Sequence, residues 1–183
     1  FDALAGDTVI VCMATTSLTL DPYLRLYDPD SVLPIQEGFR DPGPGSACVA
    51  ATLSKTGTQR VVAGDCGLDG TETGDYGIYV QRLNNPSVAS PLSFGEIIST
   101  SLTQVGEVDT FVLDASEGDI VLLRMNTDSI ELDPYIALYG PDGSQLSYNY
   151  RATGSGGAEI TTSPLPETGT YKILALDYGP LVE

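Results

Sequence analysis

The chain has 183 residues, among them 25 acidic and 8 basic residues and no histidine, which gives a net charge of −17 at pH 7. This charge argues against nucleic acid or an anionic membrane surface as a partner and favours cations. Without histidine, the chain has no serine or cysteine nucleophile paired with a histidine base, and its three cysteines cannot complete a four-thiolate zinc site. No apolar stretch is long enough to span a membrane.

Short β-rich stretches run through the chain and are bounded by Gly, Pro, Asp or Asn. No segment carries a helical stripe, and the connections between the stretches have the length of turns. This pattern predicts an all-β protein with antiparallel sheets. The first five stretches are TVIVCM from Thr8, YLRLY from Tyr23, CVAATL from Cys48, QRVVAG from Gln59 and YGIYVQRL from Tyr76.

The chain repeats itself at a constant shift of 112 positions, the distance from Asp21 to Asp133. LDPYLRLYDPD at Leu20–Asp30 returns as LDPYIALYGPD at Leu132–Asp142. The repeat predicts two tandem β-sandwich domains, at residues 1–83 and 99–183, joined by a linker at 84–98. We expect the first domain to lack an N-terminal strand and the second to lack a C-terminal strand, because the sequence of each of these strands is present in only one of the two copies.

The cysteines suggest a hairpin around the turn sequence KTGT. Cys48 and Cys66 are equidistant from Gly57 within that turn, so a hairpin would place them opposite each other. They form a disulfide in an oxidising compartment, or remain as two buried free thiols. Cys12 is left over, and its repeat counterpart Arg124 predicts an outward-facing, solitary thiol.

The second repeat resembles the bacterial pre-peptidase C-terminal domain family. The resemblance rests on DTFVLDASEGDIVLL, then LDPYIALYGPDGSQL, then LPETGTYKILAL, in this order. It implies jelly-roll-like β-sandwiches that accompany secreted enzymes or surface proteins. The first repeat departs from the pattern after Asp30, where SVLPIQEGFRDPGPGS replaces the expected glycine turn.

The main candidate for a metal site is the loop GDCGLDGTETGDY from Gly64 to Tyr76. It carries Asp65, Asp69, Glu72 and Asp75, and its glycines permit the turns that converge oxygen ligands on one ion. Ca²⁺ and similar hard cations, including lanthanides, prefer such ligands. A solvated acidic loop is the alternative. The counterpart in the second repeat begins at Asp177.

Other acidic residues are weaker candidates for metal ligands. Glu107 and Asp109 share one face of a predicted strand, where like charges repel unless an ion bridges them. We expect a second group to cap its own turns first and to bind metal second: Asp28, Asp30 and Asp142. Asp21 and Asp133 each precede a proline at the start of a strand, and we interpret them as hydrogen-bond anchors first and ligands second.

The tyrosines of the repeated motif suggest a carbohydrate platform only weakly. Tyr23, Arg25 and Tyr27 alternate with Leu24 and Leu26, so one set faces the core. The leucines are the apolar choice, which leaves the tyrosines facing outward.

These patterns favour a non-catalytic, extracellular structural protein. Few lysines, 12 prolines and 20 glycines are typical of secreted β proteins. We expect acidic loops that bind Ca²⁺ or a lanthanide, and a head-to-tail filament in which neighbouring copies supply the missing strands. The alternative, implied by the family resemblance, is an accessory domain pair of a secreted hydrolase that aids secretion or substrate binding.

Overall fold

The computed structural model describes residues 1–39, 45–66, 71–84, 89–104, 106–151 and 156–178. These residues form strands and no helix, which confirms the all-β prediction. It follows that the described segments contain no helix capable of crossing a membrane. The chain divides into two compact units, the first made mainly of Phe1–Arg82 and the second mainly of Leu83–Thr103 and Glu107–Pro180.

The first unit contains two three-stranded antiparallel sheets, in the orders β5-β2-β8 and β4-β3-β7, and a short β1-β6 pair. Its strands are β1 (Asp2–Ala3), β2 (Thr8–Thr15), β3 (Pro22–Tyr27), β4 (Gln36–Phe39), β5 (Gly45–Thr52), β6 (Gly57–Thr58), β7 (Arg60–Asp65) and β8 (Tyr76–Arg82).

Both sheets of the first unit contribute to one hydrophobic core. Val11 and Met13 of β2 pack in the same cluster as Leu24 and Leu26 of β3, and all four are almost completely buried. Burying one such side chain contributes about 1.5–3 kcal/mol. The leucines therefore form the inner face of β3, as predicted.

The second unit contains a five-stranded sheet in the order β13-β12-β15-β10-β9 and a two-stranded β11-β14 sheet. All pairings are antiparallel except β9 with β10, which is parallel. Its strands are β9 (Ser90–Pro91), β10 (Val108–Ala115), β11 (Leu122–Thr127), β12 (Pro134–Tyr139), β13 (Gln145–Tyr150), β14 (Gly156–Thr161) and β15 (Gly169–Asp177).

The second core repeats the construction of the first. Leu123 of β11, Ile136 and Leu138 of β12, and Tyr171 and Ile173 of β15 belong to one buried cluster. Part of the segment predicted as a linker, 84–98, belongs to this unit, because β9 pairs with β10 and Leu92 packs against the cluster.

The cysteine prediction was wrong. The disulfide joins Cys12 to Cys48, and Cys66 is a free, exposed thiol. Cys12 and Cys48 lie directly opposite each other because β5 pairs with β2. The turn at Gly57 does not close a hairpin, since β7 belongs to the other sheet and pairs with β3. Cys12 is also buried rather than exposed.

Candidate metal centre

Asp21 and Asp65 are brought together at one end of the β3-β7 pair. Pro22 pairs with Asp65 in the antiparallel register, so Asp21 lies next to the carboxyl end of β7. The Asp21 backbone N–H donates a hydrogen bond to Asp65 Oδ1 at 3.1 Å, and the Cys66 N–H donates to the Asp21 carbonyl at 2.8 Å. These bonds fix the spacing of the two carboxylates.

Glu72 completes a group of three acidic side chains. One carboxylate oxygen from each of Asp21, Asp65 and Glu72 lies within 4.8 Å of the other two. Asp21 is buried, Asp65 is half-buried and Glu72 is exposed. We call this group the acidic triad. The triad is therefore open to solvent on the side of Glu72, where an ion can enter.

Several backbone contacts hold the Thr71–Asp75 loop at the triad. The Thr15 hydroxyl donates a hydrogen bond to the Asp75 carbonyl at 2.7 Å, and the Thr19 hydroxyl donates to the Thr73 carbonyl at 3.3 Å. Gly74 allows this close approach, because a Cβ at this position would lie 2.5 Å from the Ser17 Cβ. The loop that carries Glu72 is therefore anchored to the β2–β3 connection.

The dimensions of the triad suit a hard cation. Ca²⁺ takes oxygen ligands at 2.3–2.6 Å, so two ligands of one ion are at most about 5 Å apart. Three carboxylates at this separation repel one another, and a bound cation turns the repulsion into attraction.

The structure assembles only part of the predicted loop site. Asp65 and Glu72 belong to the triad, whereas Asp69 lies outside the described residues. Asp75 is exposed and does not belong to the triad. Asp21, which the sequence favoured as a hydrogen-bond anchor, anchors Asp65 through its backbone N–H, and its side chain also joins the acidic triad. The sequence repeat had drawn attention to Asp21, because it places an aspartate, Asp133, at the same position of the second copy.

Asp133 and Asp177 reproduce the first part of this arrangement in the second unit. The Asp133 N–H donates to Asp177 Oδ1 at 3.0 Å, and the Tyr178 N–H donates to the Asp133 carbonyl at 2.8 Å. Burial raises the pKa of Asp133, and the Asp177 charge raises it further. Within the segments that the structure describes, no third acidic residue completes this pair into a group like the triad.

Four tyrosines of the second unit form a stacked cluster, one of them Tyr178, which follows Asp177 in the chain. Tyr178 stacks on Tyr150 at 4.2 Å between ring centroids and on Tyr135 at 6.0 Å, and Tyr135 stacks on Tyr148 at 5.9 Å. Burial raises the pKa of Tyr135 to about 12. The expectation of outward-facing tyrosines was wrong for Tyr27, which is buried, as is its repeat counterpart Tyr139.

Glu107 and Asp109 are close enough to interact electrostatically. Burial raises the pKa of Asp109, the Glu107 charge raises it further, and a hydrogen bond from the Thr100 side chain opposes both. Glu107 accepts hydrogen bonds from the backbone N–H and the hydroxyl of Thr103, the latter at 3.0 Å. Among the residues that the structure describes, no third carboxylate joins these two in a group like the triad.

The remaining candidates lie in turns. Asp28 is buried and accepts a hydrogen bond from the Ser54 hydroxyl at 2.5 Å. Asp30 is exposed and adopts a left-handed conformation with φ of 59°. Asp142 Oδ1 accepts hydrogen bonds from the Ser144 N–H at 2.9 Å and from its hydroxyl at 2.7 Å. The Asp142 contacts are those of a turn residue, as expected, whereas the Asp28 carboxylate bonds to a residue 26 positions away instead of capping its own turn.

The Asp142 turn yields a pH-dependent prediction. The bonds from Ser144 lower the pKa of Asp142, so its stabilisation is present above the unfolded pKa of about 3.9 and is lost as the pH falls through the folded pKa. We expect Asp142→Ala to lower the free energy of unfolding by about 0.5–1 kcal/mol at pH 7, a value reduced by solvent screening at this exposed site. Urea unfolding at several pH values measures this.

Asp142→Asn is the matched control, because the amide keeps an acceptor oxygen and has no charge to titrate. It should cost less than the alanine variant. A loss for Asp142→Ala that is equal at pH 7 and at a pH below the folded pKa of Asp142, where the carboxyl is protonated in both states, would contradict the assignment.

Comparisons with protein-family models, with curated proteins and with solved structures gave no match for this chain. The resemblance to the pre-peptidase C-terminal domain family stays a prediction, and the functional argument rests on the geometry of the acidic residues and the strands.

Proposed function

We propose that this protein is a non-catalytic, extracellular structural protein built from two tandem jelly-roll-like β-sandwiches, the first of which binds Ca²⁺ or a lanthanide at the acidic triad. The convergence of Asp21, Asp65 and Glu72 within 4.8 Å carries this proposal. Asp21 immediately precedes β3, Asp65 ends β7 and Glu72 lies in the anchored loop, so an ion would tie the start of β3 to the end of β7 and to the loop that follows it.

The disulfide supports an extracellular location. Disulfides persist in oxidising compartments and are rare in the cytosol. Cys12 and Cys48 are bonded across the neighbouring strands β2 and β5. The net charge of −17 is compatible with a cation-rich exterior, where bound ions reduce the repulsion among carboxylates.

Open sheet edges support the further proposal of a head-to-tail filament. Among the described strands, none pairs with the outer edge of β7 in the first unit or with the outer edge of β11 in the second. Unpaired edges are templates for strands of other chains. Neighbouring copies would then complete each other's sheets.

Isothermal titration calorimetry with CaCl₂ tests the metal proposal. We expect saturable binding to the unmodified protein and a loss of affinity of at least about tenfold in the Asp21→Asn/Asp65→Asn variant, because two charged ligands become neutral. Asp75→Asn is the matched control, since it removes a charge from the same loop but outside the triad, and should change Kd by less than about twofold.

Two results would refute the site. One is the absence of binding heat with both CaCl₂ and TbCl₃. The other is an equal loss of affinity in the double variant and in Asp75→Asn, which would mean that the general negative charge of the loop attracts the ion.

A further inference from the structure

Two buried side chains of the first unit each have an oxygen atom without a hydrogen bond. Asp28 directly follows β3 and is 6% exposed, and Gln59 directly precedes β7 and is 2% exposed. Among the residues that the structure describes, no group donates a hydrogen bond to Asp28 Oδ1 or to Gln59 Oε1. Folded proteins rarely bury polar atoms of this kind unless a ligand, an ion or a water molecule satisfies them. The two atoms therefore mark a candidate binding site.

Asp28 and Gln59 are neighbours at one end of the β3-β7 pair. They are the next residues beyond the last pair of the antiparallel ladder, one on each strand. Close contact of the flanking segments supports this placement, because a Cβ at Gly57 would lie 3.0 Å from Pro29 Cγ. Side chains at opposite positions of an antiparallel pair lie on the same side, with Cβ atoms about 4.5–5.5 Å apart. Since both side chains are buried, they lie on the inner side and can hold one ligand between them.

Existing hydrogen bonds fix which oxygen atoms remain available to a ligand. The Ser54 hydroxyl donates to Asp28 Oδ2 at 2.5 Å, which leaves Oδ1. Gln59 Nε2 donates to the Lys55 carbonyl at 3.0 Å and to the Gly57 carbonyl at 3.3 Å. A flipped amide would set its oxygen against these two carbonyl oxygens, so Oε1 is the atom that faces away from them. Because Ser54 and Lys55 are adjacent in the chain, one turn holds both side chains in place.

The charge of Asp28 decides which kind of ligand fits. Within the described part of the chain, Asp28 forms no ion pair, and its side chain accepts a hydrogen bond from the neutral Ser54 hydroxyl. A buried carboxylate without a cationic partner is strongly unfavourable. A water molecule would donate to both free oxygens but would leave this charge uncompensated. A cation satisfies both oxygens and neutralises the charge.

The second unit has no such pair at the corresponding place. At the shift of 112 positions, Gly140 replaces Asp28 and Tyr171 replaces Gln59. Tyr171 is fully buried, and its hydroxyl donates to the Glu167 carbonyl at 2.6 Å, as the Gln59 amide does to the counterpart carbonyl in the first unit. Among the described residues of the second unit, no buried side-chain oxygen lacks a hydrogen bond. The fold therefore does not require the polar pair, which is specific to the first unit.

We propose that the first unit binds one Na⁺ ion between Asp28 Oδ1 and Gln59 Oε1. Carboxylate and amide oxygens are the ligands that hard cations prefer. Asp28 supplies a single negative charge, so a monovalent ion neutralises the buried site, whereas Ca²⁺ would leave an uncompensated positive charge. The site lies at the opposite end of the β3-β7 pair from the acidic triad and does not depend on an ion there.

Urea unfolding of the whole chain at two Na⁺ concentrations tests the site. NaCl rises from about 10 mM to about 500 mM while N-methyl-D-glucamine hydrochloride keeps the ionic strength constant, so the screening of surface charges does not change. A chelator is present throughout and removes divalent ions from the triad. An ion that binds only the folded state lowers the unfolding equilibrium constant in proportion to 1 + [Na⁺]/Kd. For a Kd of about 0.1 M or tighter, we expect a decrease of at least about fivefold.

Asp28→Asn removes the charge and keeps an acceptor oxygen for the Ser54 hydroxyl. Its amide also places a donor beside Gln59 Oε1, so we expect this variant to fold and its unfolding equilibrium constant to change by less than about 1.5-fold with Na⁺. Asp30→Asn is the matched control, because Asp30 is exposed and its left-handed conformation, with φ of 59°, is one that asparagine accepts. This control should keep the full response to Na⁺.

An independent variant carries the arrangement of the second unit. Asp28→Gly/Gln59→Tyr lacks both oxygen atoms and should also lose the response to Na⁺. A decrease of equal size in Asp28→Asn and in the unmodified protein would overturn the ion site. The absence of any decrease in the unmodified protein would overturn it as well, and would leave a water molecule as the partner of the two oxygens.

Discussion

We expect Cys48→Ala to lower the free energy of unfolding by about 3–4 kcal/mol. The Cys12–Cys48 bond closes a loop with a sequence separation of 36 residues, and the chain-entropy model assigns a value of this size to such a loop. Cys48 is exposed, whereas Cys12 is buried, so truncating Cys48 leaves little cavity and the remaining Cys12 thiol packs as a small apolar group. Urea unfolding of the oxidised protein measures the change.

Cys66→Ala is the control, because its thiol is free and exposed. We expect a change within about 0.5 kcal/mol. Thiol titration of the unfolded, unreduced protein should detect one reactive group in the unmodified chain and two in Cys48→Ala. A large loss of stability in Cys66→Ala would favour the Cys48–Cys66 pairing and contradict the structure.

The cysteine pairing shows where sequence reasoning fails in this fold. The equal spacing of Cys48 and Cys66 around Gly57 is a local argument that assumes a hairpin. In the structure, the chain passes from one sheet to the other at this turn, so β5 pairs with β2 and β7 with β3. A turn sequence indicates that the chain reverses, but strand partners are chosen by tertiary packing.

The repeat predicted more than any local pattern. β3 (Pro22–Tyr27) and β12 (Pro134–Tyr139) have boundaries that differ by the same 112 positions as their sequences. The strands were recognisable because alternating leucines fit one buried face of a sheet. The exposure of the outer face was less predictable, since Tyr27 is buried beneath the Arg60 guanidinium, 4.3 Å from its ring centroid.

Two of the three residues of the acidic triad could be paired from the sequence. Asp65 and Glu72 lie seven positions apart in a loop with turn-forming glycines, and a local argument was sufficient to pair them. Asp21 comes from a strand start 44 positions earlier than Asp65, and only the β3-β7 register brings it near. Carboxylates converge through strand pairing, so composition alone overstated the contribution of Asp75.

Calcium should stabilise the folded protein at the triad. The three carboxylates are brought together only in the folded chain, so an ion at the triad would bind the native state and add RT ln(1 + [Ca²⁺]/Kd) to the free energy of unfolding. At a free concentration of 100 times Kd, we expect a gain of about 2.7 kcal/mol, which a chelator should abolish. Urea unfolding in calcium and in chelator measures the difference.

Two variants and a second ion test whether the stabilisation by Ca²⁺ arises at the triad. Asp21→Asn/Asp65→Asn should lose most of the calcium-dependent gain, whereas Asp75→Asn should keep it. Mg²⁺ at the same concentration should stabilise less, because it demands near-octahedral ligands at 2.0–2.1 Å and gives up its water reluctantly, whereas strands and an anchored loop fix these carboxylates. Equal stabilisation by Mg²⁺ and Ca²⁺, retained in the double variant, would mean that the ions act by screening the net charge of −17 rather than by binding at the triad.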